Sequence, residues 1–146
     1  MKLESDPIRG VPATGSPVFV ARIPMRWGDM DSLGHLNNAM YFRYAEQARI
    51  DWLESLFGDP RPQGQGMVVV STRCDFLKPL TYPGLVEVRL ALGSPGRSSF
   101  VIGFEMRKAN QDTLYAEGYA KMVWVDLSTG RAVALHDRIV ELARNP

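Results

Sequence analysis

The sequence predicts an α+β domain in which one long helix packs on a five-stranded antiparallel sheet. Three observations carry this prediction. A single segment places apolar residues at helical spacing over about five turns. Five other segments have the character of strands, most of them with apolar and polar residues in alternation. The links between the later strands are short and rich in turn residues. The 146 residues, 45% hydrophobic and 23% charged, suit one globular domain.

The first stretch of the chain is polar and rich in Gly, Pro and Ser. It predicts a flexible tail over residues 1–17, followed by a folded domain over residues 18–146. This stretch lacks the apolar core of a secretory signal, and nowhere does the chain approach the ~20 apolar residues of a membrane span. We therefore expect a cytoplasmic protein that is not embedded in a membrane.

The first strand is predicted over residues 18–25, and Pro24 inside it indicates an edge strand or a strand end because proline cannot donate to a neighbour. A polar loop punctuated by glycines follows over residues 27–36. Two asparagines, Asn37 and Asn38, come next. Asparagine is a preferred helix N-cap, so the helix is expected to begin here.

The long helix has one apolar face and a clear end. Gly58 stands where a C-terminal cap belongs, and the prolines that follow stop the helix. Ala45 and Ala48 lie in the middle of the apolar face, where small side chains let a helix approach another surface closely. The residues that define the face are Tyr41, Tyr44, Ala45, Ala48, Trp52, Leu53 and Leu56.

Four strands are predicted after the helix, within residues 67–77, 86–92, 100–106 and 116–124. Their short links predict hairpins in a meander, and a last helix is predicted near residue 140. One face of the final strand carries small residues, which we interpret as room for the helix. These are Ala116, Gly118 and Ala120.

Composition excludes several classes of function. Lys and Arg number 17 against 16 Asp and Glu, and a net charge of +1 argues against a nucleic-acid-binding protein. One cysteine excludes a disulfide framework and a cysteine-built zinc site, and two distant histidines make a metal site unexpected. Any catalysis is expected to use carboxylates, hydroxyls, amides and backbone groups.

The loop before the helix holds groups suited to acyl transfer. A helix N-terminus offers unpaired N–H groups that stabilise an oxyanion, and a nearby carboxylate can attack a carbonyl carbon or activate water. The loop supplies two carboxylates, Asp29 and Asp31. An Asp-rich and Gly-rich turn would have a similar composition, and Asp29 is predicted as a loop or cap residue rather than a second catalytic acid.

The loop and helix together match a known motif. Residues 29–41 read DMDSLGHLNNAMY, and this run closely resembles the motif of hotdog-fold acyl-CoA thioesterases of the 4-hydroxybenzoyl-CoA thioesterase family. The resemblance continues to about residue 136. It implies the hotdog fold, in which a long helix is wrapped by an antiparallel sheet, in agreement with the order of elements predicted above.

The resemblance also implies roles for individual residues. Asp31 occupies the position of the family's catalytic aspartate, as nucleophile or as general base for water. The backbone N–H near Asn38 matches the group that polarises the thioester carbonyl, and His35 and Asn37 belong to the same motif, with a structural or a substrate-contacting role open for His35. In relatives, the hairpin that here holds Arg97, Ser98 and Ser99 contacts coenzyme A.

The implied reaction is hydrolysis of an acyl-CoA to a free acid and CoA, with CoA as part of the substrate and no further cofactor or metal. A homodimer or homotetramer is implied, with the acyl tunnel at the dimer interface. Two alternatives stay open: an acyl carrier protein thioesterase, which the sparsely basic hairpin at Arg97 would allow, and a non-catalytic acyl-CoA-binding protein. A carboxylate at Asp31 argues against the second.

Overall fold

A computed structural model describes residues 17–144, so the predicted tail over residues 1–17 lies almost wholly outside the described residues. The structure consists of five strands, two α-helices and two short 3₁₀ turns. In chain order these are β1 (Phe19–Pro24), a turn (Trp27–Asp29), α1 (Asn38–Phe57), a turn (Pro62–Gly64), β2 (Gln65–Phe76), β3 (Leu85–Leu92), β4 (Ser99–Lys108), β5 (Ala116–Asp126) and α2 (Asp137–Arg144).

The five strands form one sheet in the order β1-β3-β4-β5-β2, with every neighbouring pair antiparallel. This confirms the predicted fold class, and β1 is an edge strand as Pro24 indicated. Strands β3, β4 and β5 form the predicted meander. Strand β2 does not: it pairs with β5 at the far edge, so residues 77–84 cross the sheet instead of closing a hairpin. The alternation of apolar and polar residues predicts on which face of the sheet a side chain lies, but it does not predict which strand is the neighbour.

Helix α1 begins and ends where the sequence predicts. Asn37 is its N-cap, and Gly58 ends it in the left-handed conformation with φ of 71°. Ala45 and Ala48 are completely buried. Because these side chains are short, the helix can lie close to the sheet, and the large residues beside them fill the core. The buried residues of α1 are Tyr41, Tyr44, Ala45, Ala48, Arg49, Trp52 and Leu53.

Gly118 of β5 makes room for a neighbouring strand and an aromatic ring. A Cβ atom at Gly118 would lie 2.0 Å from the carbonyl oxygen of Arg73 in β2 and 2.7 Å from the ring of Phe104 in β4. The glycine therefore admits a neighbouring backbone and an aromatic ring. The interpretation that Gly118 accommodates the helix is wrong, because side-chain size does not reveal which neighbour occupies the space.

The register defines two ends of the sheet. Pro24 pairs with Leu85 at one end, and Phe76 of β2 pairs with Ala116 at the same end. We call this the loop end, because the loop over residues 27–37 leaves β1 here. The link between β3 and β4 lies at the other end, which we call the turn end. No helix within residues 17–144 has the length and apolar character to cross a membrane.

Candidate active site

The loop before α1 folds back on itself. Met30 and Leu36 form a β-bridge, and the Asp31 N–H donates to the His35 carbonyl at 2.8 Å. The N–H of Gly34 donates to the Asp31 carbonyl at 3.0 Å. Gly34 has φ of 77°, a conformation that glycine adopts at little cost. The loop is thus closed by its own backbone, with Asp31 beside the closure.

Backbone groups hold one oxygen of the Asp31 carboxylate. Its Oδ1 accepts the N–H of Leu33 at 2.9 Å and the N–H of His35 at 3.3 Å. Its Oδ2 has no hydrogen-bond donor within reach among residues 17–144. The side chain is half-buried. One oxygen is therefore fixed, while the other is available to a substrate.

The start of helix α1 leaves one N–H open. The Asn37 side chain accepts the N–H of Ala39 at 2.9 Å, and the Asn37 carbonyl accepts the N–H of Met40 at 2.8 Å. In the part of the chain that the structure describes, the N–H of Asn38 has no acceptor. A helix N-terminus carries a partial positive charge, so this open donor suits an oxygen that gains negative charge.

Asp31 and Asn38 line the same open groove, with a volume of about 360 Å³. Asp31 also lines a second groove of about 450 Å³, with Trp27 and Tyr82 in its wall. A thioester has two arms, the acyl group and the pantetheine chain, and a carboxylate that lines two grooves is suited to meet the carbon that joins them. The first groove is lined by Asp31, Leu33, His35, Leu36, Asn38, Tyr41, Phe76, Leu77, Lys78 and Pro79.

The structure brings three of the predicted site residues to this groove. Asp31, His35 and Asn38 line it, while Asn37 caps the helix behind it. The backbone of His35 exchanges hydrogen bonds with Asp31 in both directions. The imidazole is half-buried in the groove wall and makes no hydrogen bond to any described residue. His35 thus supports Asp31 through its backbone and leaves its ring available to a ligand.

The sequence predicts Tyr41, on the apolar face of the helix, as a core or interface aromatic rather than as part of a substrate site, but Tyr41 also lines the groove. It is 2% exposed, and its hydroxyl accepts the N–H of Leu80 at 3.4 Å. Burial raises the pKa of Tyr41, the hydrogen bond from Leu80 offsets part of this rise, and the nearby negative charge of Asp31 adds to it. The phenol is therefore neutral at ordinary pH. Its position three residues after Asn38, on the same side of the helix, was the signal in the sequence.

The residues predicted to contact CoA lie elsewhere in the chain. The Ser98 carbonyl accepts the N–H of Trp124 at 2.7 Å, and the Arg97 carbonyl accepts the N–H of Leu135 at 2.9 Å. Together with Ser99, they belong to the turn end of the sheet. The eight residues of β3 separate this end from the loop end by about 25 Å. The fold of the single chain does not bring these residues to Asp31.

Other reactive groups are sparse in the described part of the chain. Within residues 17–144, no three His, Cys, Asp or Glu side chains come together as a metal site requires. Burial and the neighbouring charge of Asp75 raise the pKa of the Cys74 thiol to about 12, which makes it a poor nucleophile at neutral pH.

Comparison with known proteins assigns this architecture to a family. The model of the thioesterase-like superfamily matches residues 25–142. The PA2801 protein of Pseudomonas aeruginosa is 39% identical, with a TM-score of 0.80, over 85% of this chain and 96% of its own. The long-chain acyl-CoA thioesterase FadM of Escherichia coli is 25% identical over 122 residues, which are 82% of this chain and 92% of FadM. The DHNA-CoA thioesterase of Staphylococcus aureus shares the fold, with 23% identity and a TM-score of 0.72 over 82% of this chain and 81% of its own.

Proposed function

The chain belongs to the thioesterase-like superfamily, and on this premise we propose that it hydrolyses acyl-CoA thioesters with Asp31 as the catalytic carboxylate. The observation that carries the proposal is the pairing of two open groups in one groove. Oδ2 of Asp31 lacks a protein donor, and the N–H of Asn38 lacks a protein acceptor, within residues 17–144. A hydrolase that uses neither a metal nor a thiol needs such a carboxylate and such an N–H donor to cleave a thioester.

In the proposed reaction the thioester carbonyl oxygen accepts the N–H of Asn38. The positive end of α1 stabilises the oxyanion that forms as the carbonyl carbon is attacked. Asp31 acts in one of two ways. As nucleophile it forms a mixed anhydride and releases CoA thiolate, and water then cleaves the anhydride. As general base it takes a proton from the water that attacks directly. Either route consumes one water and yields the acid and CoA.

The first experiment compares Asp31→Asn with the parent over a panel of acyl-CoA esters. Asparagine keeps the side-chain shape and the Oδ1 acceptor but removes the charge. We expect kcat to fall by about a thousand-fold or more, because both routes need the carboxylate. A parent that is inactive on every ester, or an asparagine variant as fast as the parent, would reject the assignment.

A second experiment isolates the N–H of Asn38. Asn38→Pro deletes this N–H at the first helical position, where proline is well tolerated. The preceding residue, Asn37, already has φ of −59° and ψ of 138°, which suits a residue before proline. Asn38→Ala is the matched control, since it removes the side chain and keeps the N–H. We expect proline to lower kcat by about 10²-fold to 10³-fold at little cost in stability, and alanine to retain most of the activity.

The same panel separates the alternative functions. FadM, a relative by sequence, acts on long-chain acyl-CoA, which favours a CoA ester over a carrier-protein ester for this chain. Each acyl group is therefore offered both as its CoA ester and on acyl carrier protein. A higher kcat/KM for the carrier-bound ester would favour the carrier protein thioesterase. Binding of acyl-CoA without turnover would favour the non-catalytic protein.

We also propose a homodimer formed along strand β2. This strand has 12 residues, and no described strand within residues 17–144 pairs with its outer edge. Three consecutive valines near its middle, Val68, Val69 and Val70, are 46%, 40% and 59% exposed. A long apolar edge invites pairing with another strand, and two copies related by a two-fold axis would pair β2 with β2 in antiparallel fashion.

Within one chain the predicted CoA contacts lie far from Asp31. Such a dimer would bring the contacts of one subunit close to Asp31 of the other. Antiparallel pairing sets the turn end of one sheet beside the loop end of the other. Arg97 of the partner subunit would then approach the groove that holds Asp31. Sedimentation at several protein concentrations tests the assembly. In a dimer, Arg97→Ala should raise KM for acyl-CoA more than it lowers kcat, because the arginine is expected to contact the nucleotide and not the thioester.

A further inference from the structure

A buried carboxylate lies two residues before Asp31 and takes no part in the reaction proposed above. Asp29 is 6% exposed, and its Oδ2 accepts the hydroxyl hydrogen of Tyr44 at 2.7 Å. Tyr44 lies on the buried face of helix α1 and is 5% exposed. This bond joins the loop to the second turn of the helix that carries Asn38.

The backbone of Asp29 is held as well. Its carbonyl accepts the N–H of Asn37 at 3.0 Å, and its N–H donates to the carbonyl of Arg26 at 3.0 Å. The bond between Asp29 and Asn37 closes the loop at its base, outside the turn that holds Asp31. Asp29 therefore connects three parts of the site: the segment that follows the first strand, the helix cap and, through Tyr44, the body of the helix.

The charges of the pair strengthen the connection. Burial raises the pKa of Asp29, but hydrogen bonds from Tyr44 and Arg26 and the charge of Arg26 outweigh it, so the pKa lies below its usual value. Burial and the bond to Asp29 raise the pKa of Tyr44 to about 12. The carboxylate is thus charged and the phenol neutral at working pH. Such charge-assisted hydrogen bonds are about twice as strong as neutral ones.

We propose that Asp29 and Tyr44 are positioning residues for the hydrolysis, and that their hydrogen bond sets where the Asp31 carboxylate stands relative to the N–H of Asn38. The proposal rests on the proposed function, since it concerns the two groups that act on the thioester. One of these groups is on a loop and the other on a helix, so their separation depends on what ties the loop to the helix. A misplacement of about 1 Å can cost about 10²-fold in rate.

Tyr44→Phe is the main test, because it removes one oxygen and keeps the ring in the core. A purely structural role would lower the melting temperature and leave the turnover of folded protein unchanged. A positioning role lowers kcat by about 10-fold to 100-fold, with KM within about two-fold, at temperatures where both proteins are folded. Tyr115→Phe is the matched control: it removes an exposed bond of 2.9 Å from tyrosine to Gln111, and its kcat should equal that of the parent.

Two variants of Asp29 provide a rescue test. Asp29→Ala removes the acceptor for the Tyr44 hydroxyl and should lower kcat as Tyr44→Phe does. Asp29→Asn restores an oxygen acceptor and should recover a large part of the loss. If Tyr44→Phe does not fold, the comparison of these two variants at matched folded fraction decides in its place.

The outcomes separate this inference from the proposed function. A parent without turnover on any ester rejects both. If the parent is active, folded Tyr44→Phe with a kcat within about two-fold of the parent overturns the positioning role alone. Asp29→Asn that is no faster than Asp29→Ala also overturns it, because the hydrogen bond would then not be what matters.

Discussion

The side-chain oxygen of Asn37 accepts the backbone N–H of Ala39 at 2.9 Å. Together with the bond from Met40 to the Asn37 carbonyl, it leaves Asn38 with the open N–H at the start of helix α1. The cap therefore does more than satisfy backbone N–H groups at the start of the helix. By occupying the neighbouring donors, it directs the positive end of the helix toward one position in the groove.

Removing this cap should reduce stability. We expect Asn37→Ala to lower the free energy of unfolding by about 1 kcal/mol, the usual cost of losing an asparagine cap. Activity should fall as well, because the freed N–H of Ala39 would compete for the substrate oxygen. Urea unfolding and steady-state kinetics measure the two effects. An unfolding curve identical to that of the parent would show that the cap contributes nothing.

Gly118 should tolerate no side chain. Its Cβ would lie 2.0 Å from the backbone oxygen of Arg73, and backbone in a paired strand cannot move aside cheaply. We expect Gly118→Ala to destabilise the protein by several kcal/mol and to reduce the yield of folded protein, because β2 and β5 must separate. Gly28→Ala is the control, since no atom lies within 4 Å of the corresponding Cβ. Equal melting temperatures for the two variants would contradict the packing described.

The proposed dimer makes a prediction about the edge of β2. Val70 is 59% exposed, and a lysine on a strand edge disfavours pairing with another strand. Val70→Lys should therefore shift the protein toward the monomer in sedimentation and lower kcat/KM for acyl-CoA. Leu85→Lys, on an interior strand and 36% exposed, should leave the assembly unchanged. Dimers that persist in Val70→Lys at low concentration would rule out this edge as the interface.

Stability should depend on alkaline pH through Tyr44. Its pKa is raised from 10.0 to about 12 in the folded protein. The unfolded chain loses this proton first, so the contribution of Tyr44 is complete below pH 10 and disappears as the pH rises through about 12. Urea unfolding from about pH 9 upward should show a decline in stability that is shallower in Tyr44→Phe. Parallel declines in parent and variant would be inconsistent with this linkage.

The sequence predicts features that are encoded locally along the chain. It does not predict features that depend on which distant segments of the chain pack together. Helical spacing and the residues Asn37 and Gly58 locate α1 closely, because caps and periodicity are local properties. The position of β2 beside β5 was not predictable, since alternation is compatible with several strand orders. The lining of the groove was not predictable for the same reason. Residues 76–79 reach Asp31 only because the link after β2 crosses the sheet.

The burial of Asp29 was also not visible in the sequence. As one of two aspartates in a loop rich in turn residues, it has no feature that distinguishes a buried carboxylate from an exposed cap. Its bond to Tyr44 spans 15 residues and depends on how the loop lies against the helix. The resemblance of its motif predicts Asp31 as the catalytic carboxylate. The hydrogen bonding of its two oxygens is visible only in the structure.

Because backbone groups hold the Asp31 carboxylate, neighbouring side chains in the loop are not needed to fix its position. The main-chain N–H groups of Leu33 and His35 hold the carboxylate, while the side chains of Ser32 and Leu33 are exposed. Those two side chains can therefore change without moving the carboxylate. Leu33 also lines the first groove, so for the proposed hydrolase a library at Leu33 is a direct way to vary which acyl groups the groove accepts while the proposed catalytic carboxylate stays in place.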